Sequence, residues 1–108
     1  MKREYVDTPE NRQYVELRNM FYQDVLNGRF FPKWKKLLSC KAEYCDYRDF
    51  TFLRSYNTIV AVFNKYNNML ISYGRYSSTT YQHIRKFRDN VCGGYNIKER
   101  NLEYENWY

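Results

Sequence analysis

The sequence has little of what marks membrane and secreted proteins. None of its segments reaches the run of about 18 apolar residues that a membrane-spanning helix needs. The first residues, MKREYVDTPENR, lack the apolar core of a signal peptide, so we expect the protein to stay in the cytoplasm. Its three cysteines are an odd number, which favours reduced thiols over a disulfide framework.

The sequence is equally poor in groups that mark a catalytic site. It contains one histidine and no glycine-rich phosphate loop. Cys40, Cys45, Cys92 and His83 could together hold a zinc ion, but their spacing matches none of the common zinc motifs, and buried thiols are the preferred interpretation. No nucleophile and orienting group accompany His83 in a recognisable pattern. We therefore predict no enzymatic activity, no catalytic residue, no metal site and no cofactor.

Aromatic residues and positive charge are abundant instead. Tyrosine contributes 13 residues and phenylalanine 7, and 44% of the chain is hydrophobic, which suffices for the core of one domain over residues 1–108. The net charge is +6, and residues 52–91 carry most of it, with six lysines and arginines against one acidic residue. Such a segment attracts phosphate backbones or an acidic protein surface. A solvated basic face without a partner is equally compatible with this pattern.

Residues 8–43 predict a pair of helices. Over residues 8–27, Thr8 suits the N-cap and Pro9 the first helical position, and an Asn-Gly pair ends the helix. The buried stripe of this helix would comprise Tyr14, Leu17, Phe21 and Val25. A second helix over residues 32–43 would turn apolar residues inward and lysines outward. The inward residues are Trp34, Leu37 and Leu38, and the outward ones are Lys33, Lys35 and Lys36.

Residues 52–91 predict two strands followed by a helix, a ββα unit. The segment SYNTIVAVF at residues 55–63 is rich in β-branched and aromatic residues and is apolar on both faces near its end, which indicates a central strand. NKYNN is typical of a turn, and MLISY at residues 69–73 returns as the antiparallel partner strand.

A helix over residues 79–89 follows the two strands. Either Ser78 as N-cap or a capping box that starts at Thr79 would begin it. Its narrow apolar stripe would pack on the hairpin and leave the outer side to water. The residues that could then meet a protein or nucleic-acid partner are Arg75, Tyr81, Gln82, Arg85, Lys86 and Arg88.

The C-terminal segment, residues 92–108, has no regular pattern. Its last aromatic residues, Trp107 and Tyr108, favour docking back onto the body of the protein. The elements together predict the α+β class. The architecture would be an N-terminal helical pair, an antiparallel hairpin or a small sheet that extends it, and a helix that covers the hairpin.

Two motifs stand in residues 54–87, Ser-Tyr-x-Thr-x-Val-Ala and Tyr-Ser-x-Thr-Thr-x-x-His-Ile-x-x-Phe. Their positions are Ser55, Tyr56, Thr58, Val60, Ala61, Tyr76, Ser77, Thr79, Thr80, His83, Ile84 and Phe87. This pattern resembles a short domain of unknown function in small proteins of bacteriophages, plasmids and integrated elements. The resemblance covers about a third of the chain and does not extend to residues 1–50. It implies a mobile-element origin and, by association, an inhibitor of host defence of the anti-CRISPR type.

The motif residues favour a structural role. The hydroxyl groups would begin the helix, and His83 would flank its apolar stripe and hydrogen-bond to the adjacent strand. Two functions then remain as hypotheses. In the first, the protein binds a host effector protein or nucleoprotein complex in the bacterial cytoplasm and inhibits it through tyrosine-rich and basic surface. In the second, the basic face of the helix over residues 79–89 binds DNA or RNA directly.

Overall fold

The computed structural model describes residues 8–102, which form two α-helices and a six-stranded sheet. Helix α1 spans Pro9–Leu26 and helix α2 spans Ser78–Asn90. The strands, in chain order, are β1 Lys35–Lys36, β2 Ala42–Tyr47, β3 Phe50–Ser55, β4 Thr58–Asn64, β5 Met69–Ser72 and β6 Lys98–Asn101. A 3-10 helix at Gly94–Asn96 precedes β6.

The strands lie in the sheet in the same order as in the chain. Each pairs antiparallel with the next, except that β6 runs parallel to β5. A parallel pair needs a crossover connection, and α2 lies within it. The two edge strands, β1 and β6, have the sequences KK and KERN. Charged side chains at these edges discourage pairing with the strands of other proteins.

Helices cover both faces of the sheet, which we call the α1 face and the α2 face. Strands β2 to β5 contribute buried side chains to both cores. Phe52 and Val62 face α1, whereas the residues that follow them, Leu53 and Phe63, face α2. A register irregularity between β3 and β4 interrupts this alternation, and Val60 and Ala61 both face α2. Strands that are buried on both faces have apolar sequences throughout. This confirms the prediction that the segment around TIVAVF is a well-covered central strand.

Helix α1 agrees with its prediction at both ends. The Thr8 Oγ1 atom accepts a hydrogen bond from the backbone N–H of Asn11 at 3.1 Å, and Gly28 takes a φ of +71° just beyond the last turn. The buried stripe was predicted less well. Phe21 is 2% exposed, but Val25, four residues on, is 37% exposed. The last turn of α1 therefore projects beyond the core.

The predicted second helix over residues 32–43 is wrong. This segment contains an extended stretch, the short strand β1, a turn and the first residues of β2. Trp34 packs in the core of the α1 face, whereas Leu37 is buried in the core of the α2 face. Leu38 is exposed, with a φ of +54°. Apolar residues that suited one side of a helix are thus distributed over both faces of a sheet.

The predicted small hairpin covered by one helix is also wrong, although the α+β class holds. Ser55 ends β3, and Tyr56 and Asn57 form a two-residue turn before β4. The predicted strand over residues 55–63 therefore began three residues early. The hairpin of β2 and β3 was not predicted, because strands that contribute to cores on both faces lack the alternation of apolar and polar residues that identifies a strand.

The remaining predictions concern the start of α2 and the C-terminal segment. Ser77, not Ser78 or Thr79, is the N-cap of α2. Residues 98–101 join the sheet as β6, and Leu102 is fully buried in the core of the α1 face. The predicted docking of Trp107 and Tyr108 lies outside the described residues. From Thr8 to Leu102, neither helix has the length and apolar character that crossing a membrane requires.

Candidate interaction surfaces

Helix α2 begins where three hydroxyl side chains meet a histidine. The Oγ atom of Ser77 accepts a hydrogen bond from the backbone N–H of Thr80 at 3.3 Å. One turn on, the Nδ1 atom of His83 lies 2.7 Å from the Oγ atom of Ser55, the last residue of β3. The same Oγ atom lies 3.3 Å from the Oγ1 atom of Thr80. These hydrogen bonds join the start of α2 to the sheet.

Burial determines what this cluster can do chemically. Ser55 and His83 are only 3% and 4% exposed, so their reactive atoms face the interior. A serine beside a histidine has the composition of a nucleophile and its base, but within residues 8–102 the imidazole has no carboxylate partner to orient it. The pair instead satisfies two buried polar groups between β3 and α2. This confirms the prediction that His83 hydrogen-bonds to a strand.

The other motif residues also contribute to the scaffold. Four apolar ones are buried in the core of the α2 face: Val60, Ala61, Ile84 and Phe87. Tyr56 lies in the turn between β3 and β4, and its ring centroid is 5.6 Å from that of His83. The motif therefore describes how α2 is seated on the sheet.

The six residues predicted to bind a partner separate into two groups. Gln82, Arg85 and Lys86 lie together on the outward side of α2 and are exposed. Neither Arg85 nor Lys86 has an ion-pair partner in the described part of the chain. Arg88, by contrast, donates to Asp89 at 2.9 Å and to Glu99 of β6 at 3.3 Å. Its guanidinium is therefore engaged within the protein.

The last two predicted residues lie beside this outward face. Tyr81 is half-buried, with its ring against that of Tyr76 at a centroid distance of 6.4 Å. A shallow cavity of about 310 Å³ opens on this flank between α2 and β6, with Tyr81 and Arg85 in its lining. Arg75 is exposed and precedes the helix. Of the six predicted residues, the structure thus brings Gln82, Arg85 and Lys86 together as a continuous exposed face.

A second surface, not predicted from the sequence, lies at the end of α1. Four large apolar residues are exposed there: Tyr22, Val25, Leu26 and Phe31, which we call the apolar cluster. The chain after α1 folds back, because the backbone N–H groups of Arg29 and Phe30 both donate to the carbonyl of Asp24. Phe30 then packs on Phe21 and leaves its neighbour outside. Adjacent residues of an extended chain point to opposite sides, so a buried Phe30 implies an exposed Phe31. This was the sequence signal from which the exposed position could have been predicted.

The three cysteines do not converge on one site. Cys45 is buried on the α1 face and Cys92 on the α2 face, so the sheet separates them. Burial raises the pKa of both thiols to about 12. Cys40 is partly exposed, and its Sγ atom donates to the carbonyl of Leu37. The zinc arrangement that the sequence left open, with His83 as a fourth ligand, is therefore excluded by the topology.

We expect the free energy of unfolding to decrease as the pH falls. Burial, and then the neighbouring Lys86 ammonium, hold the pKa of His83 below its ordinary value of 6.5. Below that pH the unfolded chain takes up a proton that the folded chain excludes, so this stabilisation is complete above pH 6.5 and is lost on acidification. Urea denaturation at about pH 7.5 and 5.5 measures the loss, which for one proton is at most about 1.4 kcal/mol per pH unit.

The matched control for this experiment is His83→Gln. Glutamine keeps a hydrogen-bonding group near Ser55 but does not titrate. The variant should be less stable at neutral pH and should lose clearly less stability on acidification. Equal losses in both proteins would show that another group causes the pH dependence.

Residues 13–106 match the model of a family of unknown function, DUF8033. No curated protein and no solved structure matches the chain. The matched span includes both motifs, all six strands and most of α1, and so extends well beyond the third of the chain on which the resemblance rested. The chain therefore belongs to the DUF8033 family.

Proposed function

We propose that the protein is a non-enzymatic binding protein of a phage or other mobile element, which inhibits a host defence effector by docking on its nucleoprotein surface. The observation that carries this proposal is the apolar cluster at the end of α1. Exposed apolar surface that the fold does not need is typical of sites where another macromolecule binds. The mobile-element origin is supported by the two motifs.

The apolar cluster is not a by-product of core packing. Leu26 and Phe31 are each 78% exposed. Phe21 and Phe30 already fill the space beneath, with ring centroids 5.7 Å apart. Tyr22 adds a side chain of the type that concentrates binding energy at interfaces. Leu26 and Phe31 could therefore be polar without leaving a cavity in the core, so we assign them a role in binding.

Positive charge beside the apolar cluster indicates the chemistry of the partner. Arg29 and Lys33 stand two residues before and two residues after Phe31, and both are exposed. Between Thr8 and Leu102 neither has an ion-pair partner. A complementary partner would offer an apolar recess beside carboxylates or phosphates. An effector protein that holds nucleic acid provides both.

The double substitution Leu26→Ser with Phe31→Ser tests this proposal. The probes are purified CRISPR effector–guide RNA complexes, assayed for DNA cleavage and for complex formation by size-exclusion chromatography. We expect the native chain to form a stoichiometric complex with one of them and to slow its cleavage. Loss of two anchor side chains should weaken that inhibition by about 100-fold.

Tyr66→Ser is the matched control, because Tyr66 is 91% exposed in the turn between β4 and β5. This variant should inhibit as the native chain does. Unchanged inhibition by the Leu26→Ser, Phe31→Ser variant, or no inhibition of any effector, would contradict the proposal.

Direct binding of DNA or RNA by α2 is a second candidate. The observation that favours it is the pair of exposed cations, Arg85 and Lys86, that have no ion-pair partner in residues 8–102. Charge on one helix face attracts phosphates without requiring a specific sequence. The engagement of Arg88 by Asp89 and Glu99 limits the charge available there.

A salt titration with duplex DNA and single-stranded RNA tests this second candidate. If α2 contacts phosphates, a plot of the logarithm of the duplex affinity against the logarithm of the salt concentration should fall with a slope of about 0.9 per phosphate neutralised. Arg85→Glu with Lys86→Glu should abolish binding, whereas Leu26→Ser with Phe31→Ser should leave it unchanged. No binding by the native chain at roughly 50 mM salt would exclude this function.

A further inference from the structure

One end of the sheet contains a cavity to whose lining the motifs contribute one residue, Tyr56. The loop between β1 and β2 and the turn between β3 and β4 enclose it, and its volume is about 580 Å³. The backbone N–H of Tyr56, in the turn, donates to the carbonyl of Lys41, in the loop, at 3.2 Å. This hydrogen bond fixes the two segments beside each other. The volume lies within the range of small-molecule sites.

The charges that line the cavity are mostly positive. Lys36, Lys41 and Arg54 contribute three cations, and Glu43 is the one carboxylate. Arg54 takes up that carboxylate, with its Nε and Nη2 atoms 3.0 and 2.7 Å from the Glu43 Oε1 atom. Its guanidinium also lies over the ring of Trp34, 4.1 Å from the centroid. Arg54 and Glu43 are therefore committed to each other.

The two lysines remain uncompensated. Both are exposed, and across the described residues neither has a hydrogen bond or ion pair from its side chain. The β1–β2 ladder places Lys36 opposite Glu43, and Lys41 directly precedes β2. Two lysine side chains thus line one opening. A lysine ammonium binds phosphate as a point charge that can adapt its position.

An aromatic ring stands in the same lining. Tyr56 is 55% exposed, and its ring packs against the imidazole of His83, so that part of its surface stays accessible. Its φ is +50° and that of Asn57 is +69°. This left-handed conformation suits asparagine but is unfavourable for a bulky residue such as tyrosine. The fold therefore holds an aromatic side chain at a place where its own backbone would favour asparagine or glycine.

We propose that this cavity binds a nucleoside phosphate. Lys36 and Lys41 hold the phosphate, and the base stacks on the accessible surface of the Tyr56 ring. An anion without a planar group would use the lysines but not the tyrosine. Aromatic side chains accept any base in this way, because every base has a π face. The ligand is a free nucleotide or one nucleotide of a single strand, and both present the same chemistry.

Cys40 provides a built-in reporter for binding, because it lines the same cavity and is the most accessible of the three thiols. The probes are AMP and a thymidine decamer, each at up to about 1 mM, and the rate of maleimide modification of Cys40 is followed by mass spectrometry. Either probe should slow the modification. Protection by AMP identifies free nucleotide as the ligand, and protection by the decamer alone identifies a strand.

Variants that remove the lysine charges then test the site itself. Lys36→Gln with Lys41→Gln should weaken the binding of the protecting probe by about tenfold or more in isothermal titration. The matched control is Lys65→Gln with Lys98→Gln, which removes the same charge from exposed positions at the opposite end of the sheet and should leave the affinity within about threefold. Equal weakening by the two variants would show that net charge, and not the two cavity lysines, determines the affinity, and would overturn the proposal. Absence of protection by both probes would overturn it as well.

Tyr56→Asn separates stacking from charge. Asparagine tolerates the backbone conformation of this turn, so the variant should fold. It should bind AMP or the decamer about tenfold more weakly while binding of inorganic pyrophosphate stays unchanged. Unaltered nucleotide binding by the variant would contradict the assigned role of Tyr56. The apolar cluster shares no residue with this cavity, so these results are independent of the proposed inhibition.

Discussion

The hydrogen bond between Ser55 and His83 connects the two parts of the chain on which the rest of the structure depends. Ser55 ends β3 inside the sheet, and His83 lies on the helix that must cover its second face. A sheet whose central strands are apolar on both sides is stable only when both sides are covered. A buried polar pair that is satisfied between the strand and the helix, with Thr80 as a second helix partner of Ser55, fixes where α2 lies on that face, which apolar packing alone would not specify.

This position of α2 determines the surfaces around it. With Ile84 and Phe87 in the core, Arg85 and Lys86 point to solvent. The chain can then return through the 3-10 helix to add β6 parallel to β5. At the other flank, the imidazole supports the ring of Tyr56 at the mouth of the cavity. Tyr56, a motif residue, thus belongs both to the scaffold and to the proposed nucleotide site.

The surfaces to which we assign binding lie mainly outside the motif. The apolar cluster is carried by α1 and the loop that follows it, and the cavity lysines come from the loop between β1 and β2. The motif residues of this chain seat α2 on the sheet. The residues that we propose to bind partners stand on other segments, namely the end of α1 with its loop and the loop between β1 and β2.

Local signals identified α1 and α2 well but predicted a helix over residues 32–43 where the chain is part of the sheet. Thr8 and Pro9 begin α1 and Gly28 follows its last turn, and each does so through its own backbone or side chain, so the sequence predicts both ends of the helix. The segment over residues 32–43 contains Trp34 and Leu37, which suit a helix by spacing but are buried on opposite faces of the sheet. That arrangement depends on β2 and β3, whose own sequences lack the alternation that reveals strands.

The candidate binding residues divide in the same way, into those that local periodicity predicts and those that depend on tertiary contacts. Gln82, Arg85 and Lys86 follow from helical periodicity and are exposed together as predicted. The engagement of Arg88 depends on Glu99, which reaches it only through the parallel pairing of β6. The cavity joins residues of β1, β2, β3 and two connections, so no single segment carries its signal. Contacts set by tertiary pairing lie beyond the reach of local patterns.

A double-mutant cycle on Ser55 and His83 tests whether this hydrogen bond fixes the position of α2 on the sheet. The free energy of unfolding at about pH 7.5 is measured for the native chain, Ser55→Ala, His83→Ala and the double variant. If the pair holds α2 on β3, Ser55→Ala leaves His83 without its partner and His83→Ala leaves Ser55 with only the longer contact to Thr80, so the coupling energy should be about 1–3 kcal/mol. Additive effects, with a coupling energy near zero, would show that the pair does not hold α2 on β3.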